Sequence, residues 1–246
     1  MNTPELSIVL PVHDAAEILR ESVARLDAGC ADLVDGHEIL LMENGSRDAT
    51  LRVARELAEA SQHVRVYTDA RASYGQAMRA GLMHSAGDLC AVLNVDLWDL
   101  GFLERAVALL RHVDVIVGSK RHADAQDERP RSRRLVTEVF NLWLRVAFSY
   151  PGTDTHGMKV FRRAALEPLF ERCVTRDILF DTELLLRAAR HGRSIAELPV
   201  TVREVRAPRT SALSRVLPTL REARVLRGEL REARPMLPLP ARPARA

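Results

Sequence analysis

The feature that most constrains this chain is the stretch Gly87 to Gly101, GDLCAVLNVDLWDLG, in which an apolar run ends abruptly in carboxylates. Leu89 to Leu93 has the length and unbroken hydrophobicity of a strand buried on both faces, a pattern that belongs to the inside of a parallel sheet. Asn94, Asp96 and Asp99 follow at the carboxyl end of that strand, the edge of an open α/β sheet where ligands bind. Asn94 and Asp96, alternating about Val95, place two oxygen-bearing side chains where they suit a hard divalent cation escorting phosphate oxygens. The plainer alternative is an ordinary loop in which Asp99 caps a helix beginning near Gly101.

The flanking sequence repeats the same rhythm. Strand-like Glu5 to Val12 is followed by helical spacing from Ala15 to Leu26, with Ile18, Leu19, Val23 and Leu26 on one face. His37 to Glu43 predicts a second strand and Ala49 to Ala60 a second helix. Val64 to Thr68, Tyr74 to Ser85, the opening stretch, Phe102 to Leu110 and Val113 to Val117 continue the alternation. Strands alternating with helices predict one α/β domain with a mainly parallel central sheet covered on both sides.

After Gly118 the rhythm breaks. Ser119 to Arg134 is charged, contains proline and has no hydrophobic period, which predicts a long mobile lid. Leu135 to Phe148 returns to helix, and Val136, Val139, Phe140, Trp143, Leu144 and Ala147 form a wide apolar stripe expected to face the core. Gly157 to Phe161 reads as a strand, Ala164 to Phe170 as a short helix, and Asp181 to His191 as a helix closed by Gly192. Ile195 to Val202 runs through Pro199, so this late strand is expected at a sheet edge. The organisation expected is a body over residues 1–212, a basic amphipathic helix over 213–234, and a proline-rich disordered tail over 235–246.

Cys30, Cys90 and Cys173 are odd in number and widely spaced, which argues against a disulfide framework or a structural zinc site. The start, MNTPELSIVLPV, reads as a first strand and not as a signal peptide, so a cytoplasmic protein is expected. The net charge of +3 conceals an asymmetry: ten arginines against three glutamates lie from Val205 onward, leaving the preceding part acidic. The body is therefore not a nucleic-acid-binding surface.

Four stations, SIVLPVHDAAEIL, EILLMENGSRDAT, SAGDLCAVLNVDLWDL and VIVGSKR, resemble in order and spacing the successive nucleotide-sugar-binding segments of family 2 glycosyltransferases of the GT-A fold. The likeness is greatest to the dolichol-phosphate mannose or glucose synthase branch and covers about residues 5 to 215. It implies a Rossmann-like α/β/α sandwich with an added C-terminal helix. It also implies a nucleotide-diphosphate sugar donor, Mg²⁺ or Mn²⁺, and a polyprenyl-phosphate acceptor at the inner face of a membrane.

Residue roles follow from that resemblance. Pro11, Val12 and His13 fall where the nucleobase lies, and Glu43 and Asn44 take the places of the family's paired aspartates, where an acceptor oxygen meets a base N–H. Asn94-Val95-Asp96 matches the family's DxD with asparagine first; Asp96 keeps the metal position. Lys120 and Arg121 in GSKR are the expected phosphate contacts, joined by Arg206 from the late R…S segment. DTHGMKVFRR resembles the acceptor-side segment, one residue short, which makes Asp154 a candidate acid or base, with His156 an alternative. Asp181 and Glu183, at an acidic helix start, are candidate bases or acceptor-positioning groups, and either can equally cap that helix.

The activity implied is metal-dependent, inverting transfer of a sugar. A polyprenyl-phosphate oxygen is already anionic and needs no strong base, whereas a hydroxyl acceptor would require Asp154, Asp181 or Glu183. Leu213, Val216, Leu217 and Leu220 among Arg215, Arg221 and Arg224 suit an anionic membrane surface, or a helix docked on the body. Neutral Asn44 and Asn94 keep open a noncatalytic nucleotide-sugar-binding module. A nucleotidyltransferase lacks its glycine-rich, lysine-containing loop here, and a Rossmann dehydrogenase lacks GxGxxG after the first strand.

Overall fold

The computed structural model describes residues 4–150, 152–202 and 212–232. Arg206, with the rest of 203–211, and the proline-rich tail lie outside the described residues. The first half of the chain is four strand–helix units: β1 (Leu6–Val12), α1 (Ala16–Ala31), β2 (His37–Asn44), α2 (Thr50–Ala60), β3 (Val64–Asp69), α3 (Tyr74–His84), β4 (Leu89–Val92) and α4 (Leu100–Leu109). Then come β5 (Val115–Ser119), the two-residue β6 (Gln126–Asp127), α5 (Arg131–Phe148), β7 (Lys159–Arg162), α6 (Arg163–Phe170), α7 (Phe180–Arg190), β8 (Ile195–Pro199), β9 (Thr201–Val202) and α8 (Ala212–Glu232).

Seven strands form one sheet in the order β3-β2-β1-β4-β7-β5-β8, all parallel except β7, which runs antiparallel to both neighbours. Alternation along the strands splits the core into two layers. Val9, Leu40, Val92 and Val117 face one layer of helices, while Leu10, Leu41, Ala91 and Ile116 face the other. Because β1 and β2 carry no exposed residue, their sequences read as continuous apolar runs. Pro11 is tolerated in central β1 because β4 pairs only as far as Val9, leaving one flank of β1 without a ladder partner. Pro199 lies on edge strand β8, as the sequence predicts.

Two expectations change. The segment after Gly118 is tied down: β6 pairs in parallel with β9, and α5 begins at Arg131, so the stretch is not one structureless lid. The apolar stripe of α5 is only half core. Leu144 and Phe148 are buried and Phe140, Trp143 and Ala147 pack against the core, but Val136 and Val139 are exposed, together with Leu135, Leu142 and Val146, the last at 80%. The helix meets the body along one side, and its stripe is wider than that contact.

Helix α8 likewise has two apolar faces. Ala223, Leu226 and Leu230 enter the core, and Glu222 accepts backbone N–H bonds from Arg176, Asp177 and Leu179 at 2.8–3.0 Å. Val216, Leu217 and Leu220, of the stripe that suits either a membrane surface or docking on the body, stay exposed. No helix among the described residues is long and apolar enough to cross a membrane.

Candidate active site

Parallel strands bring the ends of β1, β2 and β4 to one edge, and the three turns there are bonded together. Asp14, with φ of 46°, donates its backbone N–H to Ser46 Oγ at 2.9 Å, and its carboxylate accepts the Arg47 N–H at 2.6 Å, a bond that holds its pKa below the ordinary value. His13 Nδ1 donates to the Asn44 carbonyl at 2.9 Å. Gly45 has φ of 71°, and a Cβ there would meet the Ala70 carbonyl oxygen at 2.9 Å, so the turn requires glycine.

Glu43 and Asn44 diverge in role. Buried Glu43 accepts the Ser46 N–H at 2.6 Å and so shapes the turn. Asn44 is 4% exposed; its amide donates to the Ser73 carbonyl at 3.3 Å, while its Oδ1 has no hydrogen-bond partner. A buried carbonyl oxygen with an unused lone pair fits a base N–H, the use expected of this position. Pro11 and Val12 are buried beside it at the end of β1.

Beyond β4, Asn94 and Asp96 behave differently from one another. The Tyr74 hydroxyl donates to Asn94 Oδ1 at 3.1 Å. Burial pushes the Tyr74 phenol well above its ordinary range, and the charges of Asp181 and Asp96 push it further, so it remains a donor. Asp96 is exposed, and its carboxylate makes no hydrogen bond or ion pair with another described residue although its charge reaches Tyr74, which leaves it available to a cation. Asp99 is the N-cap of α4, accepting from Phe102 N at 3.2 Å.

The remaining candidates are each committed to an ion pair. Asp154, 1% exposed, meets Lys120 Nζ at 2.7 Å, and Lys120 also bonds the His156 carbonyl. Burial disfavours the Asp154 charge, but the Lys120 ammonium outweighs it and holds the carboxyl below its usual range. Lys120 is thus a buried partner of Asp154 and does not point freely at a ligand. Arg121 is exposed and pairs with Glu138 at 2.6 Å. Asp181 meets Lys159 Nζ at 2.8 Å, and Glu183 meets Arg187 at 2.6 Å while accepting the Val174 and Thr175 N–H groups.

His156 joins these groups. Its Nε2 donates to the Ile178 carbonyl at 2.8 Å, so Nδ1 accepts from Thr155 Oγ1 at 3.0 Å, and Thr155 in turn accepts from Thr182 Oγ1 at 3.0 Å. Burial depresses the imidazole pKa, with Asp181 opposing, so the ring is neutral. The edge of the site therefore collects Asn44, Tyr74, Asn94 and Asp96, floored by the Asp181–Lys159 pair and His156. Glu183 is directed into the 174–175 turn and is not in this group.

Sequence reasoning missed Tyr74 and Lys159. Ser73 offered a signal for the first: it caps α3, accepting Gln76 N–H at 3.3 Å, and thereby fixes the first helical residue, Tyr74. A Cβ on Gly75 would meet the Asp177 carbonyl oxygen at 2.5 Å, so this turn of α3 must press against the 176–177 backbone. Nothing local marks Lys159 as the partner of Asp181.

Several known proteins share this architecture. The structure aligns with glucosyl-3-phosphoglycerate synthase from Mycobacterium tuberculosis, in complex with Mn²⁺, UDP and glucosyl-3-phosphoglycerate, at a TM-score of 0.60 and 22% identity, covering 92% of this chain and 78% of that one. It aligns with the mannosyltransferase PcManGT from Pyrobaculum calidifontis, in complex with GDP-Man and Mn²⁺, at a TM-score of 0.64 and 20% identity, covering 95% and 66%. The fold is GT-A.

In sequence, glycosyltransferase AglD of Haloferax volcanii is 30% identical over 204 residues, 80% of this chain but only 32% of that protein, so the chain spans about a third of that relative's length. Dolichyl-phosphate beta-glucosyltransferase ALG5C of Trichomonas vaginalis is 26% identical, covering 81% of this chain and 64% of that protein. The glycosyltransferase Mb0553 of Mycobacterium bovis is 32% identical over 218 residues, covering 88% of this chain and 91% of that protein. Residues 7–170, which hold Asn44, Tyr74, Asn94, Asp96 and Asp154, match the family described as Glycosyl transferase family 2. The chain belongs to glycosyl transferase family 2.

Proposed function

We propose that this chain transfers a sugar, with inversion, from a nucleotide-diphosphate sugar to a polyprenyl-phosphate acceptor. The observation that carries the reading is the pairing, on one sheet edge, of the unpartnered Asn44 Oδ1 with the uncommitted carboxylate of Asp96. Asn44 receives a base N–H, His13 and Glu43 hold the turn that presents it, and Asp96 holds Mg²⁺ or Mn²⁺. When bound, that ion offsets diphosphate charge as the bond to the anomeric carbon breaks. Tyr74 fixes the orientation of Asn94, whose carbonyl retains a second lone pair toward the donor.

The choice of acceptor rests on the buried ion pairs. Asp154, Asp181 and Glu183 are each held by a lysine or arginine, and His156 is neutral with both ring nitrogens bonded, so none is a ready base for an alcohol. A phosphate acceptor brings its own anionic oxygen and needs none. Asp181 and Lys159 then act as positioning residues beneath the acceptor. The exposed apolar faces of α5, with Leu135, Val139, Leu142 and Val146, and of α8, with Val216, Leu217 and Leu220, supply peripheral contact with the bilayer that carries such a lipid. The likeness to the dolichyl-phosphate beta-glucosyltransferase ALG5C supports this acceptor class.

The test is a transfer assay with a panel of UDP- and GDP-sugars, polyprenyl phosphate, and Mn²⁺ or Mg²⁺. Lipid-linked sugar that disappears in Asp96→Ala is the expected product. Tight donor binding without turnover on any acceptor would instead support the noncatalytic binding module.

A further inference from the structure

Asp27, His37 and His63 converge at the opposite edge of the sheet from Asp96. His37 opens β2, His63 immediately precedes β3, and Asp27 comes from the last turns of α1. Asp27 Oδ1 accepts from His37 Nε2 at 2.6 Å and from His63 Nδ1 at 2.9 Å, and the two rings stand 4.5 Å apart, centre to centre. All three donor atoms lie within 4.8 Å of one another, the one such group of His, Cys, Asp and Glu among the described residues.

We propose that Asp27, His37 and His63 form a binding site for a transition-metal dication of the Zn²⁺ class, separate from the donor-sugar site, that clips α1 to the starts of β2 and β3. Two imidazole nitrogens and one carboxylate oxygen are the ligand set of borderline ions, whereas Mg²⁺ prefers oxygen alone. Ligands at zinc distances lie about 3.3 Å apart in a tetrahedron. Asp27 Oδ1 therefore has to withdraw by roughly half an ångström from each imidazole as the ion replaces the two N–H···O bonds. As the ion binds, the nitrogens that face Asp27, His37 Nε2 and His63 Nδ1, offer it their lone pairs, with each ring's proton on the opposite nitrogen.

The surroundings favour a held site. The His37 side chain is 2% exposed and rigidly placed, whereas Asp27 and His63, at 28% and 37%, open to solvent and give the ion entry and a water as fourth ligand. Ser61 Oγ donates to Asp27 Oδ2 at 3.3 Å and accepts the His63 N–H at 3.2 Å, fixing both ligands from outside the set. Burial opposes charge on Asp27, but the bonds from His37 and His63 hold its pKa below the ordinary value, keeping it a carboxylate. Cys30, one turn along α1, is sealed in the core; burial and the Asp27 charge push its thiol to about 12, which keeps it out of the ligand set.

The test is calorimetric titration of the full chain with Zn²⁺, paired with the Co²⁺ visible spectrum and the thermal midpoint. One saturable zinc site is expected, unchanged in Asp96→Ala and weakened at least tenfold in His63→Ala, with a zinc-dependent rise in midpoint that His63→Ala abolishes. A Co²⁺ spectrum of tetrahedral intensity should vanish in the same variant. Because His63 is half-exposed, circular dichroism of His63→Ala and His63→Gln verifies that both are folded. Zinc binding that is lost in Asp96→Ala, that persists in folded His63→Ala, or that never saturates overturns the proposal.

Discussion

Lys159 Nζ lies 2.8 Å from Asp181 Oδ1 with neither side chain more than 2% exposed, so a sealed ion pair underlies the mouth of the site. Its field reaches both Tyr74 and His156. Such a pair adds little net stability over an apolar replacement, yet removing one member strands the other charge in a dry interior. Lys159→Met is therefore expected to cost about 3–5 kcal/mol, read as a lower urea midpoint. Lys159→Met with Asp181→Leu should recover much of that loss; a double variant as unstable as the single would show that the pair is not what fails.

Asp96→Ala should leave stability nearly unchanged, because the side chain is exposed and bonds no other described residue. Metal-dependent transfer should fall by on the order of a hundredfold or more. The pair of measurements is a thermal midpoint and an initial rate across a Mn²⁺ series. An unaltered rate would remove Asp96 from the metal role.

Tyr74→Phe deletes only the hydroxyl that donates to Asn94. A loss of about 1 kcal/mol in stability is expected, with a larger proportional loss in donor affinity, measured by calorimetry with the sugar nucleotide. Asn94→Asp keeps an acceptor for Tyr74 and adds charge beside Asp96, so metal affinity should rise while the Tyr74 contact survives. Weaker metal binding in Asn94→Asp would show that the neutral amide has its own function.

His156 carries a depressed pKa because burial disfavours its cation, with Asp181 opposing. The unfolded chain, with a histidine near 6.5, then binds more protons than the native state over the interval between the native pKa and that value. Stability should fall as pH drops below about 6.5 through that interval. Chemical denaturation at pH 7.5 and pH 5 should give a smaller difference in His156→Gln than in the parent. Equal differences would mean that this ring stays neutral for no energetic consequence.

Val139→Asp with Val146→Asp places two charges on the exposed face of α5, where the native side chains are 60% and 80% exposed. Folding should be unaffected, and co-sedimentation with anionic vesicles should drop severalfold as buried apolar area is lost from the bilayer contact. Undiminished sedimentation would move that contact elsewhere on the chain.

The alternation of apolar strands with helical periods made the parallel sheet legible, because both signals are local and periodic. For the same reason the strand-end placement of Asn94 and Asp96, the cap at Asp99 and the edge position of Pro199 could be read without coordinates. Tertiary structure alone decided which charges meet. Lys120 with Asp154 and Lys159 with Asp181 join residues from different elements, and no spacing rule pairs side chains brought together by an antiparallel strand inserted between β4 and β5. It also decided that Leu135, Val139, Leu142 and Val146 face outward: periodicity reports that a helix has an apolar side, but only packing determines how much of that side another element covers.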